Sequence, residues 1–245
     1  MSSPLIEIIQ RKYVRGTHPA MKPKDAASMI LIDSRGIVPK VLMGKRNPAA
    51  KFMPGFYVFP GGRLEKGDGD APHQGALPPQ DIERLRKFTQ RPTERRMRAL
   101  ALAAIRETFE ETGLRIGAPS DESGAGAAPE GWAEFLAGGR TPTLEGVRFI
   151  GRAITPPGRN RRFDTRFFLR DVSRLEDLKT VKPTPDSELV DLVWVPINDA
   201  GAIEAVEITH IILGELRKLI AGGFAESLSR PMFRMRNGKF ERIAL

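Results

Sequence analysis

Three glutamates stand within five positions of one another in "AAIRETFEETGL", residues 103 to 114. Residues three and four apart on an α-helix are neighbours, so Glu107, Glu110 and Glu111 share one face. An isolated arrangement of this kind is ordinarily a solvated helix face. Two costs argue for a different role. Like charges at this spacing destabilise a helix by about 0.2–0.5 kcal/mol per pair, and their place near the helix C-terminus opposes the macrodipole. A divalent cation would reverse both. Mg²⁺ in particular takes oxygen ligands from a few carboxylates, while phosphates and waters complete its octahedron. The chemistry open to such a cluster is therefore chemistry at phosphate.

The elements that must hold these residues can be read around them. Leu102, Ile105 and Phe109 fall opposite the glutamates and give the helix a core-facing stripe. Thr93 is placed to cap the helix start and Gly113 to end it. Upstream, residues 26–33 and 40–46 are rich in Val, Ile and Leu and flank the turn signal Asp33-Ser34-Arg35-Gly36, which predicts a hairpin. A short strand is expected at "FYVF", ending in Pro60-Gly61-Gly62. Residues 68–92 shift to Gly, Pro and charge and read as an insertion. It carries one amphipathic piece, "DIERLRKF", with Ile82, Leu85 and Phe88 near helical spacing. Residues 117–131 are small and polar and read as a loop. Further strands are predicted at 147–154, 164–170 and 189–195, and helices near 197–206 and 209–221. Asn237-Gly238 signals a final hairpin. Strands interleaved with helices predict an α/β (α+β) architecture, an α/β/α sandwich around a mixed sheet. There is no internal repeat, and a single domain spanning 1–245 is expected.

Composition narrows the partners. A chain of 245 residues that is 40% hydrophobic can bury a substantial core. Its 39 basic against 30 acidic residues, net +9, favour anionic partners: nucleotides, phosphorylated cofactors, RNA or a membrane surface. The absence of cysteine excludes disulfides, thiolate nucleophiles and cysteine-based metal sites, which suits a cytoplasmic protein. "MSSPLIEIIQRKYVRG" lacks the apolar core of a secretion signal, and no apolar run is long enough to suggest a membrane span.

"RETFEETGL" together with the upstream "FPGGRLEKGD" resembles the Nudix box. Its pattern is Gly, five residues, Glu, seven residues, then Arg-Glu-apolar-x-Glu-Glu-x-Gly-apolar. Gly62 opens the match and Asp68 stands at the Glu position. Thr108 stands at a usually apolar one, and Gly69 to Ile105 replaces the seven-residue gap, an insertion at about 69–99. The long insertion, with "FMPGFYVFPGG" and "RRFDTRFFLR", is similar to the coenzyme A diphosphatase branch of the Nudix hydrolases, related to the mammalian peroxisomal Nudix 19-type enzyme. The upstream "LMGKRNPAAKFMPGFYVFPGG" resembles that branch's signature, with Arg46 at its first Arg, Asn47 at Ser and Lys51 at its second Arg. Lysine keeps the charge but loses the bidentate fork.

The resemblance implies the Nudix fold and a metal-dependent diphosphatase using Mg²⁺ or Mn²⁺. Coenzyme A or acyl-CoA would be cleaved to adenosine 3',5'-bisphosphate and (acyl-)phosphopantetheine. It implies Glu107, Glu110, Glu111 and a backbone carbonyl of Gly61 as metal ligands, and Arg106 as a residue that orients a neighbouring carboxylate. Asp68, and with it Glu65, would take supporting or ligand roles. The general base is a box glutamate or an acid of "KPTPDSELVDLVWVP", where Glu188 is favoured over Asp186. Arg46, Lys51 and Arg162, the last in the basic loop "PPGRNRRFD", are expected to meet substrate phosphates, whereas Phe163 and Phe167 are expected to pack. ADP-ribose, NADH and other dinucleotides or capped RNA ends are alternative substrates, because the box specifies the diphosphate and not what is attached to it. A non-catalytic RNA-binding or regulatory protein and a homodimer also remain open.

Overall fold

The computed structural model describes residues 16–50, 53–120, 127–175, 178, 181–184 and 187–245. Strands β1 (Lys24–Asp33), β2 (Lys40–Arg46), β3 (Tyr57–Val58) and β4 (Gly61–Arg63) come first, and a 3-10 turn, Lys66–Gly69, follows them. Helix α1 (Pro79–Arg86) precedes the long α2 (Glu94–Thr112). Then come β5 (Gly117–Pro119), α3 (Ala133–Ala137), β6 (Arg140–Pro142), β7 (Val147–Ile154), β8 (Phe163–Asp171) and β9 (Leu189–Pro196). Helix α4 (Glu207–Ala221) and the hairpin β10 (Pro231–Arg236) and β11 (Lys239–Ala244) close the chain.

Among the described residues the main sheet runs β11-β10-β7-β8-β1-β2-β3, with β4 on β1 and β9 on β2. Strands β1 and β8 are parallel, as are β7 and β10, and the other pairs are antiparallel, so the sheet is mixed. Successive side chains of a strand point to opposite faces. Ala27, Met29 and Leu31 of β1 accordingly join the core beneath α2, while Ile30 and Ile32 join the core beneath α4. Burial on both faces explains why β1 reads as an apolar run rather than an alternation.

Helix α2 begins where expected: Thr93 accepts a hydrogen bond from the Arg96 amide at 3.3 Å. It ends at Gly113, whose φ of 72° lets its amide donate back to Phe109 O at 2.8 Å. Leu102, Ile105 and Phe109 are buried as predicted, but the burial extends round the helix from Ala99 to Ile105. The sheet covers one side, and Leu85 of α1 with Phe135 of α3 and Trp132 at its start complete the enclosure. Small alanines allow that close approach on every side.

Several expectations need correction. Residues 197–206 form turns, not a helix; Asn198, Asp199 and Gly201 are poor helix formers, and Tyr57 N pairs instead with Glu204 O at 2.8 Å. Part of the expected 117–131 loop is strand β5, paired with β6, while residues 121–126 lie outside the described residues. Phe88 lies beyond α1 and is 58% exposed, whereas Leu85 is buried and Ile82 packs against the core. The Asn237-Gly238 hairpin forms, with both residues at positive φ (49° and 74°) and Arg236 opposite Lys239. No helix of the described residues is long and apolar enough to cross a membrane.

Candidate active site

The second edge of β1 is shared. Strand β2 pairs near its end, at Ile32 and Asp33, and β4 pairs near its start, with Ser28 opposite Gly61 and Ala27 opposite Gly62. The Pro60-Gly61-Gly62 turn thus lies flat on β1, with Pro60 O accepting from Met29 N at 2.9 Å. A side chain would collide at both positions, with backbone at Gly61 and with the Glu107 carboxylate at Gly62. A Cβ on Gly61 would sit 2.5 Å from Ala27 O, and one on Gly62 would sit 2.3 Å from the Glu107 carboxylate carbon. The second approach seats Glu107 directly against the backbone of β4.

The acidic cluster is not a solvated face. Glu107 and Glu111 side chains are only 15% and 6% exposed, and Glu110 is 43% exposed. Arg106 organises two of them. Its Nη1 donates to Glu107 Oε1 at 3.0 Å and to Glu110 Oε2 at 3.1 Å. Its Nη2 donates to Arg63 O at 2.9 Å, and its Nε to Asp68 Oδ1 at 2.8 Å. Glu111 is held separately, its Oε2 accepting from Gly61 N at 2.9 Å.

The electrostatics follow from this geometry. Burial pushes Glu107 up to about 7, against the pull of Arg106, and the neighbouring charge of Glu110 adds to the rise. Burial pushes Glu111 up to about 8; the Gly61 amide opposes this, and Glu107 and Glu188 add to it. Glu110 is raised as well, chiefly by burial. Burial disfavours the charge on Arg106, yet its bond to Asp68 and the charges of Glu107, Asp68 and Glu110 hold its pKa above the ordinary arginine value. The pocket of carboxylates is therefore short of positive charge even with Arg106 in it.

A second segment closes on the end of α2. Helix C-termini leave carbonyls without intrahelical partners, and here Thr184 Oγ1 donates to Glu110 O and Ser187 Oγ to Glu111 O at 3.2 Å. The Ser187 Oγ also accepts from Leu189 N at 2.9 Å, at the start of β9. Glu188 lies between them, pairing with Arg46 Nη2 at 2.5 Å, and its backbone carbonyl accepts from Asn47 N at 3.0 Å. Both Arg46 and Glu188 are close enough to Glu111 to act on its ionisation. Residues from β2, β4, α2 and the approach to β9 thus converge.

Arg162 does not join them. Its backbone carbonyl accepts from Lys24 N at the first residue of β1, and its guanidinium donates to the Thr155 and Met21 carbonyls. Lys51 and Asp186 lie outside the described residues. Phe167 is buried and packs edge-on against Phe59 at 6.3 Å, in keeping with a core role. Asp68, fully buried against Arg106, faces away from solvent.

Three oxygen-bearing carboxylates short of positive charge are a donor set suited to a hard divalent cation. Among the described residues, no three acidic or imidazole side chains are gathered closely enough to hold one as they stand. Glu107 and Glu110 lean to Arg106, and Glu111 to the Gly61 amide. Gly61 meets the cluster through its N–H, which donates to Glu111 Oε2 at 2.9 Å.

No protein-family model matches the sequence. Among solved structures, the chain is similar to a NUDIX hydrolase from Alicyclobacillus acidocaldarius, at 27% identity over 79% of this chain and 90% of that one, with a TM-score of 0.59. A Nudix hydrolase from M. smegmatis, RenU, matches at 15% identity over 81% and 86% of the two chains, TM-score 0.45. The NUDIX domain of Shewanella oneidensis NrtR, solved with ADP ribose, matches at 11% identity over 90% and 99%, TM-score 0.47. The chain has the α/β Nudix fold, a mixed sheet flanked by helices.

Of the residues singled out in the sequence, Arg106, Glu107, Glu110, Glu111, Gly61, Gly62, Arg46 and Glu188 come together in the fold. Sequence reasoning passed over Trp132, Thr184 and Ser187. The contacts that bring these to the site, with Asp68, Glu110 and Glu111, span long sequence separations, and none of the three belongs to a residue pattern that signals its role.

Proposed function

We propose that the protein is a divalent-metal-dependent hydrolase of a nucleoside diphosphate joined to a second moiety, with coenzyme A or acyl-CoA as substrate. The observation that carries the reading is the seating of buried Glu111 and largely enclosed Glu107 beside the Gly61-Gly62 turn, where burial opposes their ionisation and added positive charge would favour it. Glu107, Glu110 and Glu111 would hold Mg²⁺ or Mn²⁺, together with the substrate's phosphates and the Gly61 carbonyl. A bound metal supplies polarisation of the phosphoryl oxygens and lowers the pKa of a coordinated water.

The protein's own groups do the rest. Arg106 stays in place as the residue that orients Glu107 and Glu110. Arg46 meets the incoming diphosphate, to which its guanidinium is suited. In doing so it leaves Glu188, whose side chain is 67% exposed at the site's mouth, free to take the proton of the attacking water. The choice of coenzyme A rests on the likeness of residues 42–62 to the upstream signature. Arg46 has a place beside the carboxylates in support of it, and Arg162, held at the start of β1, is better read as a structural residue.

The test is a substrate panel with Mg²⁺ and Mn²⁺, comparing coenzyme A, acyl-CoA, ADP-ribose, NADH and capped RNA for the wild type and Glu111→Gln. Coenzyme A or acyl-CoA should be hydrolysed fastest, chelator should abolish turnover, and Glu111→Gln should remove most of it. Preference for ADP-ribose would overturn the substrate, equal rates for both proteins would overturn the metal assignment, and inactivity on every compound would overturn the enzyme. RNA binding that falls steeply with salt in an inactive protein would point to a binding module instead.

A further inference from the structure

The family pattern has Glu where this chain has Asp68, one methylene shorter. The shortening coincides with a contact from outside the box. Asp68 is 0% exposed and accepts Arg106 Nε at 2.8 Å and the Glu65 amide at 2.7 Å. Its Oδ1 also accepts the indole Nε1–H of Trp132 at 3.2 Å, and Trp132 is itself fully buried. Two glycines let the 130–132 segment reach this turn. A Cβ on Gly67 would sit 2.1 Å from Glu130 O, and one on Gly131, at φ 82°, would sit 3.0 Å from Arg106 Cδ. The indole is tied to the box helix a second time, through edge-on contacts from Trp132 to Phe135 and from Phe135 to Phe109, both at 5.4 Å.

We infer that Trp132 is a positioning residue of the active site, and that Asp68 and Trp132 form a matched acid–donor pair that fixes Arg106 and, through it, Glu107 and Glu110. Arg106 reaches both Asp68 oxygens, Nε on Oδ1 at 2.8 Å and Nη2 on Oδ2 at a longer 3.2 Å, and a pair with no other donors can still pivot as a unit. The indole N–H on Oδ1 and the Glu65 amide on Oδ2 leave Asp68 a single orientation, and its bidentate contact with Arg106 then sets the guanidinium plane. Arg106 Nη1, which reaches both Glu107 and Glu110, inherits that setting. A longer acid at 68 would drive the indole out of its place, so the Asp and the Trp belong together. Partners that orient metal-binding side chains from outside the ligand set change metal affinity by roughly 10–100-fold when removed.

This inference rests on the metal-site reading, and the experiment separates the two. Mn²⁺ binding is titrated by electron paramagnetic resonance in the wild type, Trp132→Phe, Asp68→Glu and the double variant, with thermal unfolding followed in chelator. Each single variant should bind Mn²⁺ about 10-fold more weakly or worse, and the double variant should recover most of that loss, because phenylalanine leaves room for the longer acid. A wild type that binds no Mn²⁺ would overturn the metal reading and this inference together. Wild-type binding that Trp132→Phe leaves unchanged, or a double variant whose loss is the sum of the two singles, would overturn the pairing alone. If Trp132→Phe does not fold, the wild-type indole N–H decides. A slowly exchanging resonance that shifts on adding Mg²⁺ supports the pairing, and one that exchanges as freely as an exposed indole overturns it.

Discussion

Replacing Arg106 with methionine keeps most of the side-chain volume and removes the cation that Asp68, Glu107 and Glu110 share. The magnitude can be worked from the contacts. Asp68 is completely buried and Arg106 side chain is 2% exposed, so solvent screens their pairing little. Removing one partner of such a pair costs about 3–5 kcal/mol, because the other charge is left buried. Glu107, at 15% exposure, adds to this, while the 43% exposed Glu110 contributes little. For a protein of this length about 1 kcal/mol corresponds to roughly 2–4 °C in Tm, so the variant should melt roughly 6–20 °C below the wild type in chelator at pH 7. The deficit should also depend on pH in one direction. Arg106 holds the Glu107 pKa down against burial. Without it that pKa climbs further above the unfolded value, and an acid so raised loses the folded state stability as pH rises through it. The gap between variant and wild type should therefore widen from pH 5 to pH 8 in urea or thermal unfolding. A deficit below about 1 kcal/mol at pH 7, or one that narrows as pH rises, would refute the reasoning.

Gly62→Ala should force the Glu107 carboxylate off the turn, since the added Cβ would lie 2.3 Å from it; the expected outcome is about 1–3 kcal/mol lost to overpacking in a denaturant titration, with Mn²⁺ affinity weakened in a binding titration. Glu107 and Glu111 are raised from 4.5 to about 7 and about 8, so their contribution to the stability of the metal-free protein should fall as pH rises from near 4.5 to near 8, whereas Asp25, Asp33, Asp171 and Glu215 are lowered and lose theirs in stronger acid. Glu111→Gln should remove the upper part of that fall, and Mg²⁺ should protect most at the alkaline end, as urea curves across pH would show. Arg152→Met should break the buried pair with Asp164 (2.6 Å) and release the Lys87 and Phe88 carbonyls that Arg152 holds, but Asp164 keeps Arg166 at 3.3 Å, so the cost should be about 1–3 kcal/mol. Because those contacts fasten the chain before α2 and not the glutamates, Mn²⁺ affinity should stay at its wild-type level in the same titration.

Local pattern carried a large share of the architecture. Strands β2 and β7 lie at the residues their composition marks, and Thr93 and Gly113 bound α2 because capping chemistry is a property of a few adjacent residues. Asn237-Gly238 makes its hairpin for the same reason. The failures fall where a distant partner decides. Residues 197–206 turn instead of coiling because Tyr57 claims the Glu204 carbonyl, and Gly117–Pro119 becomes a strand only because Arg140–Pro142 pairs with it.

The site divides along the same line. The sequence alone determined that Glu107, Glu110 and Glu111 share a helix face, since helical spacing is local, and that a Gly-Gly turn precedes them. Only the tertiary structure decided that this face is buried against β4, which turns three ordinary carboxylates into groups whose charge is opposed by desolvation. It likewise decided that Asp68 is not an acid facing substrate but the anchor of Arg106, held by an indole from far along the chain. Burial and long-range hydrogen bonding depend on which surfaces meet after folding. No residue type and no spacing records that in advance.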